Sequence, residues 1–142
     1  MTTELQEKLK QVKFVITDVD GVLTDGLLHY DANGEALKSF HVRDGLGIRM
    51  LMEAGIQVAV LSGRDSAILH KRIADLGIKL AFLGKLEKES ACFELCRQAD
   101  VEPEQTAYIG DDSVDLPAFA VCGLSFAVAD APEYVKNCAD YT

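Results

Sequence analysis

The stretch 14–26, FVITDVDGVLTDG, joins a short apolar run to a turn that carries acidic residues. Residues 14–17 are apolar or β-branched, as in a buried strand, so Asp18 is predicted at the carboxyl end of that strand. Asp20 follows two residues later, and Gly21 allows a sharp backbone turn directly after it. The stretch therefore predicts a strand that brings two carboxyl groups to one edge of a sheet.

Apolar runs alternate with helix-like segments along the rest of the chain. The apolar runs lie at 12–17, 56–61, 80–83, 107–109 and 125–128, and segments with apolar residues three and four apart lie at 45–53, 66–75, 87–98 and 113–120. This alternation predicts an α/β fold, a Rossmann-like parallel sheet with helices on both faces. Three helical segments run into Gly55, Gly77 and Gly123, where a left-handed C-terminal cap is expected.

The segment 27–42, LLHYDANGEALKSFHV, departs from this alternation. Asn33-Gly34 is a strong hairpin signal, and strand-like residues flank it on both sides. A β-hairpin is therefore predicted to project just after the first strand. The sequence contains no recognisable second domain, internal repeat or low-complexity linker, so residues 1–142 are interpreted as a single domain.

The composition narrows the class of protein. The chain has 142 residues, 49% of them hydrophobic and 26% charged, and a net charge of -9, which argues against a nucleic-acid partner. The N-terminus is polar and charged, and no apolar run is long enough to cross a membrane. The four cysteines form no C-x-x-C pair, so buried thiols in a reducing cytoplasm are a better interpretation than a zinc site. A cytoplasmic protein is expected.

Four polar segments follow the predicted strands, at the sheet edge where open parallel sheets bind their ligands. They are 18–26, 62–64, 84–88 and 110–115. All four are rich in groups that handle phosphate and metal ions. Their convergence on one edge is the main reason to expect a phosphate-handling site, because none of the segments is decisive alone.

Asp18 and Asp20 suit the hydrolysis of a phosphate monoester. One carboxylate attacks phosphorus in line, and a second carboxyl protonates the leaving alkoxide and later activates water. A divalent cation would remove the repulsion between the two anions. A calcium loop would need an Asp or Asn where Val22 stands and its glycine two places after Gly21, and the sequence has neither. A purely structural turn capped by two aspartates is the other interpretation, and it leaves the acidic segment 110–115 unexplained.

The segment 110–115, GDDSVD, offers hard oxygen ligands at a strand end, as magnesium prefers. Helix capping by Asp111 or Asp112 is an alternative that is compatible with metal binding.

Ser62-Gly63-Arg64 follows another apolar run, where a hydroxyl and free N–H groups could cradle a phosphoryl group, although Ser-Gly is also an ordinary turn. Lys88 could neutralise that group, and composition alone leaves Lys85 open as well.

Taken in order, these residues resemble the four motifs of the haloacid dehalogenase superfamily of phosphatases: Asp18-x-Asp20, Ser62, Lys88 and Gly110-Asp111-Asp112. The match covers nearly the whole chain. DVDGVLTDG, the short hairpin, FHVRDGLGI, SGR and GDDSVDLP further resemble the 3-deoxy-D-manno-octulosonate 8-phosphate phosphatase family, a branch without a cap domain. The resemblance implies a phosphatase that releases phosphate from that sugar acid during lipopolysaccharide core synthesis.

The resemblance also implies roles for individual residues. Asp18 would be the nucleophile and a metal ligand, and Asp20 would be the general acid and base, would contact the substrate and would place its backbone carbonyl on magnesium. Asp111 would complete the protein ligands, with Asp112 supporting the metal's waters. Ser62 and Lys88 would hold the phosphoryl group. Manganese or cobalt could substitute for magnesium.

Substrate contacts follow from the same resemblance. His41, Val42, Arg43, Asp44 and Gly45 match the family's substrate-binding loop, and Arg49, Arg64 and Arg72 match positions that meet the anionic sugar acid. Arginine suits a substrate with both a carboxylate and a phosphate, because it binds either group with two hydrogen bonds. For Arg49 and Arg72, a solvated helix face is an equally good interpretation.

The family further implies a homotetramer assembled through the hairpin at about 27–42, in which neighbouring subunits help to close each site. Its chains continue past the position of Thr142 with a glycine- and arginine-containing tail that this sequence lacks. Two alternatives stay open from the sequence. One is a phosphatase of the same mechanism for another sugar-acid phosphate, and the other is a catalytically idle assembly domain.

Overall fold

Strands and helices alternate through the computed structural model, which describes residues 2–142. The strands are Phe14–Thr17 (β1), His29–Asp31 (β2), Gly34–Leu37 (β3), Gln57–Leu61 (β4), Leu80–Phe82 (β5), Thr106–Gly110 (β6) and Leu124–Ala127 (β7). The α-helices are Thr3–Gln11 (α1), Val42–Glu53 (α2), Ala67–Leu76 (α3), Lys88–Ala99 (α4), Leu116–Val121 (α5) and Glu133–Lys136 (α6). Short 3₁₀ helices occupy Pro103–Gln105 and Ser113–Asp115.

Five of the strands form one parallel sheet in the order β5-β4-β1-β6-β7. The central strand β1 pairs Thr17 with Val60 on one side and with Ile109 on the other. β2 and β3 form a separate antiparallel hairpin that leaves the sheet after β1. The predicted α/β fold and its projecting hairpin are therefore confirmed, and no cap domain is present between residues 2 and 142.

Helices cover both faces of the sheet because the strand residues alternate between two apolar clusters. Phe14 and Ile16 of β1 face a cluster that includes buried residues of α4 and α5. Val58 and Val60 of β4 face a second cluster with Ile48 of α2 and with buried residues of α3. A sheet buried on both sides needs near-continuous apolar strands, which explains why the strands were readable from the sequence.

Two helices were not predicted. α1 buries none of its residues, and its start is set locally by Thr2, whose hydroxyl accepts from the Leu5 N–H at 3.3 Å. α6 has four residues, too few to show a helical period. The predicted helix at 113–120 begins as the 3₁₀ helix Ser113–Asp115 and continues as α5.

No helix in the described part of the chain is both long and apolar enough to cross a membrane.

The predicted glycine caps are correct at two of three positions. Gly77 ends α3 in the left-handed region, and Gly55 has φ +85° just after α2. The prediction is wrong for Gly123, which does not have a positive φ. There a Cβ would lie 2.1 Å from the Glu104 carbonyl oxygen, so the position requires glycine because another backbone segment passes close by.

The hairpin turn lies one residue earlier than the Asn33-Gly34 pair indicated. Asp31 pairs with Gly34, so the two-residue loop consists of Ala32 and Asn33. The Asp31 carboxylate accepts from the Asn33 N–H at 2.7 Å, and Gly34 supplies the positive φ of +117°. The side-chain turn at Asp31 thus determines the loop, and the glycine begins the return strand.

Candidate active site

The sheet register brings the predicted polar residues to one edge. Because Thr17 pairs with Val60 and Ile109, the chain segments that follow all three strands meet at the carboxyl edge of the sheet. Asp18 extends this pairing by donating its N–H to the Ile109 carbonyl at 3.0 Å. Ser62 and Asp111 each lie two residues past the strand partner of Thr17, so they flank Asp18 on either side.

A buried lysine lies beside Asp18. The Lys88 ammonium is 3.0 Å from Asp18 Oδ1 and 2.7 Å from Asp115 Oδ1, and its side chain is 1% exposed. Burial raises the pKa of Asp18, and the Lys88 ammonium opposes that rise. Burial lowers the pKa of Lys88, but the carboxylates of Asp18 and Asp115 outweigh it and raise the pKa. The lysine therefore stays charged and favours the ionised form of Asp18.

Asp115 holds Lys88 in place and accepts hydrogen bonds from several other donors. Its Oδ1 accepts from the Tyr108 hydroxyl at 2.7 Å as well as from Lys88, and its Oδ2 accepts from the N–H groups of Asp111 and Asp112 at 2.9 and 3.2 Å. It is fully buried, and its oxygens are used by protein donors. Asp115 is not among the predicted site residues, although it lies within GDDSVD, the segment predicted to offer metal ligands.

Close packing around Asp115 depends on Gly110. A Cβ at Gly110 would lie 2.5 Å from Asp115 Cγ, so the end of β6 can lie against that carboxylate only if residue 110 lacks a side chain. Tyr108 is buried beneath it, and burial together with the nearby Asp115 carboxylate raises the pKa of its phenol. The phenol therefore stays protonated and acts as a fixed donor to Asp115.

Asp18, Asp111 and Asp115 form a carboxylate cluster. One oxygen from each lies within 4.8 Å of the others. Burial, followed by the charges of the neighbouring carboxylates, raises the pKa of Asp111 to about 7. Such crowding is unfavourable for three anions alone and favourable around a divalent cation. Because protein donors already occupy Asp115, Asp18 and Asp111 are the two carboxylates of the cluster that can hold a cation.

Gly21 lets the loop after β1 reach Asp111. Its φ is +87°, and a Cβ there would lie 1.9 Å from Asp111 Oδ2. The backbone of the Asp18–Asp20 turn therefore lies directly against the Asp111 carboxylate. This close approach sets the turn that carries Asp18 beside Asp111, and the carboxylate oxygens there suit a hard divalent cation.

Asp112 is positioned as a helix cap. Its Oδ1 accepts from the Ser113 N–H at 2.6 Å and from the Tyr134 hydroxyl at 3.0 Å. It forms a capping box with Asp115 around the 3₁₀ helix, and these hydrogen bonds lower its pKa. The capping alternative considered for this segment therefore describes Asp112 well.

The Asp20 carboxylate contacts a lysine at the base of the hairpin and is not one of the three carboxylates of the cluster. Its Oδ1 accepts from the Lys38 ammonium, which also lies 2.7 Å from Glu35 Oε1. Its Oδ2 lies 3.9 Å from Arg64 Nε. Arg64 in turn donates to the Tyr30 hydroxyl at 2.8 Å. The hairpin thus contacts the site at two points, through Lys38 and Tyr30, and neither residue is predicted from the sequence.

Ser62 and Lys85 lie in adjoining turns. Ser62 is 1% exposed, and its hydroxyl accepts from the Arg64 N–H at 3.1 Å. α3 begins at Ala67, with Ser66 as its cap, so Ser62-Gly63-Arg64 lies in the turn between β4 and that helix. Lys85 is exposed, and its N–H donates to the Ser62 carbonyl at 3.0 Å. The structure places Lys88, and not Lys85, beside Asp18.

The predicted substrate loop lies on the flank of the site. His41 caps α2 by accepting from the Arg43 N–H at 3.0 Å, and residues 41–44 are exposed. Arg72 packs over the Phe40 ring at 5.2 Å and against Gly45, where a Cβ would lie 2.8 Å from its guanidinium.

Arg49 contacts α3 and not the residues of the carboxylate cluster. It donates to the Asp75 carbonyl at 3.3 Å, near the end of α3 that is remote from Ser62. Within one chain, therefore, only Arg64 of the three predicted arginines reaches Asp20.

The family model for haloacid dehalogenase-like hydrolases matches residues 84–142 of the chain. The chain is 80% identical over 137 residues to a 3-deoxy-D-manno-octulosonate 8-phosphate phosphatase of Haemophilus influenzae, an alignment that covers 96% of this chain and 76% of that protein. It is 42% identical over 141 residues to the phosphatase of the same name from Salmonella typhi, covering 99% of this chain and 75% of that protein.

Solved structures agree with these relatives. A cobalt-bound deoxy-D-mannose-octulosonate 8-phosphate phosphatase of Haemophilus influenzae aligns with a TM-score of 0.94 at 81% identity, covering 94% of this chain and 78% of that one. A Moraxella catarrhalis phosphatase in complex with magnesium, phosphate and KDO aligns with a TM-score of 0.94 at 36% identity, covering 99% of this chain and 81% of that one.

Proposed function

The chain belongs to the 3-deoxy-D-manno-octulosonate 8-phosphate phosphatases of the haloacid dehalogenase-like hydrolases, and on that basis we propose that it hydrolyses this sugar-acid phosphate in lipopolysaccharide core synthesis. The observation that carries the proposal is the buried ion-paired group at the sheet edge. Lys88 lies 3.0 Å from Asp18 Oδ1, and Asp111 shares a carboxylate cluster with Asp18. This group supplies a nucleophile, a cation beside it and carboxylates for a metal.

In the first step, Asp18 attacks phosphorus and the bond to the C8 oxygen of the sugar breaks. The new bond makes an aspartyl phosphate, and the departing alkoxide takes its proton from Asp20. Asp18 must be ionised to attack, and Lys88 favours that form despite burial. The same ammonium lies where it can neutralise an incoming phosphoryl oxygen.

In the second step, the Asp20 carboxylate takes a proton from water. The resulting hydroxide attacks phosphorus, the bond to Asp18 breaks, and inorganic phosphate leaves with both carboxyl groups restored to their starting states. Asp20 is suited to this exchange because its side chain is 20% exposed, whereas the side chain of Asp18 is 9% exposed. Ser62 and its turn hold the phosphoryl oxygens beside Asp18.

Magnesium fits the oxygen donors at this edge. Asp18 and Asp111 would hold it together with the Asp20 backbone carbonyl, and manganese or cobalt could replace it. When bound, the ion neutralises the crowded carboxylates and stabilises negative charge on the phosphoryl group. Relatives in complex with cobalt and with magnesium support this assignment.

Substrate recognition uses Arg64 within the chain and the loop 41–45 at its flank. Arg43 is exposed and Arg49 donates to the Asp75 carbonyl, so we propose that they, with Arg72, serve a site closed by a neighbouring copy. The exposed apolar residues of the hairpin and the loop before it support assembly into a homotetramer: Leu27, Leu28, Tyr30 and Leu37. The sugar carboxylate is the group these arginines would bind.

A cytoplasmic location is part of the proposal. Cys92, Cys96, Cys122 and Cys138 are all free, and the first three are buried. Thiols that stay unpaired are typical of a reducing compartment.

The proposal is tested by a phosphate-release assay over a panel of sugar-acid phosphates with magnesium and with a chelator. Magnesium-dependent release from 3-deoxy-D-manno-octulosonate 8-phosphate, with weaker release from nine-carbon homologues, is the expected result. If the protein preferred a homologue, the substrate assignment would change and the proposed mechanism would stand. A purified, folded oligomer that releases no phosphate from any member would overturn the enzyme in favour of an assembly domain.

A further inference from the structure

Lys38 is a buried cation that the reaction as described does not use. It follows β3 at the base of the hairpin, and its side chain is 2% exposed. Its ammonium donates to Asp20 Oδ1 and lies 2.7 Å from Glu35 Oε1, whose side chain is 8% exposed. Burying the charge of a lysine is costly unless nearby carboxylates compensate it. The burial of Lys38 between two carboxylates at the edge of the site therefore calls for a functional explanation.

The three charges link the hairpin to the loop after β1. Glu35 lies within β3 and Lys38 directly after it, whereas Asp20 belongs to the turn that carries Asp18. Burial lowers the pKa of Lys38, but the carboxylates of Asp20 and Glu35 outweigh it, so the pKa is raised and the ammonium persists. The Asp20 side chain is thereby held from the hairpin side.

We propose that Lys38 is a positioning residue for Asp20, anchored by Glu35, and that it holds the carboxyl group where it can exchange protons with the leaving oxygen and with water. Lys38 contacts one oxygen, Oδ1, and leaves Oδ2 available. Arg64 Nε lies 3.9 Å from Oδ2, a separation at which the substrate or water can still reach that oxygen. Without Lys38, the Asp20 side chain can rotate away from this position.

The inference rests on the proposed function, since it assumes that Asp20 is the general acid and base. It assigns Lys38 no contact with the phosphoryl group or the metal. Its effect must therefore depend on how much the reaction needs proton donation. A primary alkoxide, as in the sugar acid, needs a proton to leave, whereas the phenolate of p-nitrophenyl phosphate does not.

The experiment compares Lys38→Met and Asp20→Asn on these two substrates with magnesium present. Both variants are expected to lose about 10²-fold or more in kcat for the sugar-acid phosphate. Both should keep most of the rate of aspartyl-phosphate formation from p-nitrophenyl phosphate, measured as the burst of nitrophenolate. Lys71→Met, which removes an exposed lysine paired with Asp75, is the control and should change neither rate.

A double variant decides whether Lys38 acts through Asp20. In the Asp20→Asn background, Lys38→Met should cause no further loss of kcat for the sugar-acid phosphate. Lys38→Arg in the parent chain should keep more of that kcat than Lys38→Met does. If Lys38→Met destabilises the chain by leaving two carboxylates unpaired, Lys38→Met with Glu35→Gln removes one of them and repeats the comparison. Equal losses on both substrates, or additive losses in the double variant, would overturn the positioning role. Full sugar-phosphate turnover by Asp20→Asn would instead overturn the assignment of Asp20 as general acid and base, whereas failure of the proposed function would show as no phosphate release by the parent chain.

Discussion

Gly21 and Asp111 are in direct contact across the site, because a Cβ at residue 21 would lie 1.9 Å from Asp111 Oδ2. The two residues come from different strand ends, 90 positions apart in the sequence (111 minus 21). Their contact sets the turn that carries Asp18 against the Asp111 carboxylate, the two parts of the proposed donor set for magnesium. Glycine at position 21 is therefore required both for its backbone conformation, with φ +87°, and for the space it leaves.

Gly21→Ala should weaken metal binding because the added methyl group displaces the Asp111 carboxylate. We expect magnesium affinity, measured by calorimetric titration, to fall about 10- to 100-fold. Gly55→Ala is the matched control, since Gly55 has φ +85° and nothing within 4 Å of its Cβ position. Both variants should lose about 1–3 kcal/mol of unfolding free energy through backbone strain. Unchanged magnesium affinity in Gly21→Ala would contradict the proposed donor set.

Asp18→Asn should abolish turnover and leave the chain folded. The amide cannot attack phosphorus and is a poor magnesium ligand, so activity should fall by on the order of 10⁴-fold or more. The fold should persist because Lys88 keeps its partner Asp115 at 2.7 Å. Phosphate release and circular dichroism measure the two outcomes. Substantial turnover by the folded variant would contradict the proposed role of Asp18 as nucleophile.

Lys88→Met should reduce both activity and stability, because it leaves Asp18 and Asp115 buried without their shared cation. Breaking a buried ion pair from one side typically costs about 3–5 kcal/mol, measurable by urea unfolding. Lys85→Met is the control, since that side chain is exposed and should change stability by less than about 0.5 kcal/mol. The reverse order of effects would show that Lys85 is the functional lysine.

The strand ends explain how much of this site was predictable. Asp18, Ser62 and Asp111 each follow an apolar run, and parallel strands bring such positions to one edge whatever the details of packing. The family resemblance favoured Lys88 over Lys85, and the structure places Lys88 beside Asp18. These features depend on sequence order and sheet direction, which a pattern can reveal.

Asp115 and Lys38 were missed for a different reason. Asp115 turns inward because Ser113–Asp115 folds as a 3₁₀ turn over Gly110, a detail that its spacing in GDDSVD does not determine. Lys38 contacts Asp20 only because the hairpin folds back over the turn after β1. Contacts between an irregular turn and a projecting hairpin depend on tertiary packing, and no local period records them.

Leu28→Glu combined with Leu37→Glu should shift the protein to smaller oligomers. The two leucines, just before β2 and at the end of β3, are 44% and 53% exposed, and burying such apolar surface between copies is the proposed source of assembly. Phe93→Glu, at a site on α4 that is 50% exposed, is the control and should leave the mass unchanged. Light scattering gives the mass directly. A double variant of unaltered mass would refute the hairpin interface.

The metal-free protein should become less stable as pH rises from about 5 to 7.5. The pKa of Asp111 is raised from 3.8 to about 7, so the folded chain binds more protons than the unfolded chain between those values. Unfolding free energy therefore falls with rising pH across that window, and the penalty is complete above about 7. Thermal unfolding in a chelator at pH 5.5 and 7.5 measures this difference.

Magnesium should remove that penalty, because a bound cation favours the ionised Asp111. Its stabilising effect should be larger at pH 7.5 than at pH 5.5, where protons compete for the same carboxylate. Asp111→Asn is the control and should flatten the pH dependence while abolishing stabilisation by magnesium. If Asp111→Asn retained the parent's pH dependence in the chelator, the penalty would have to arise from other groups, and burial of Asp18, whose pKa is also raised, would be the first to test by Asp18→Asn.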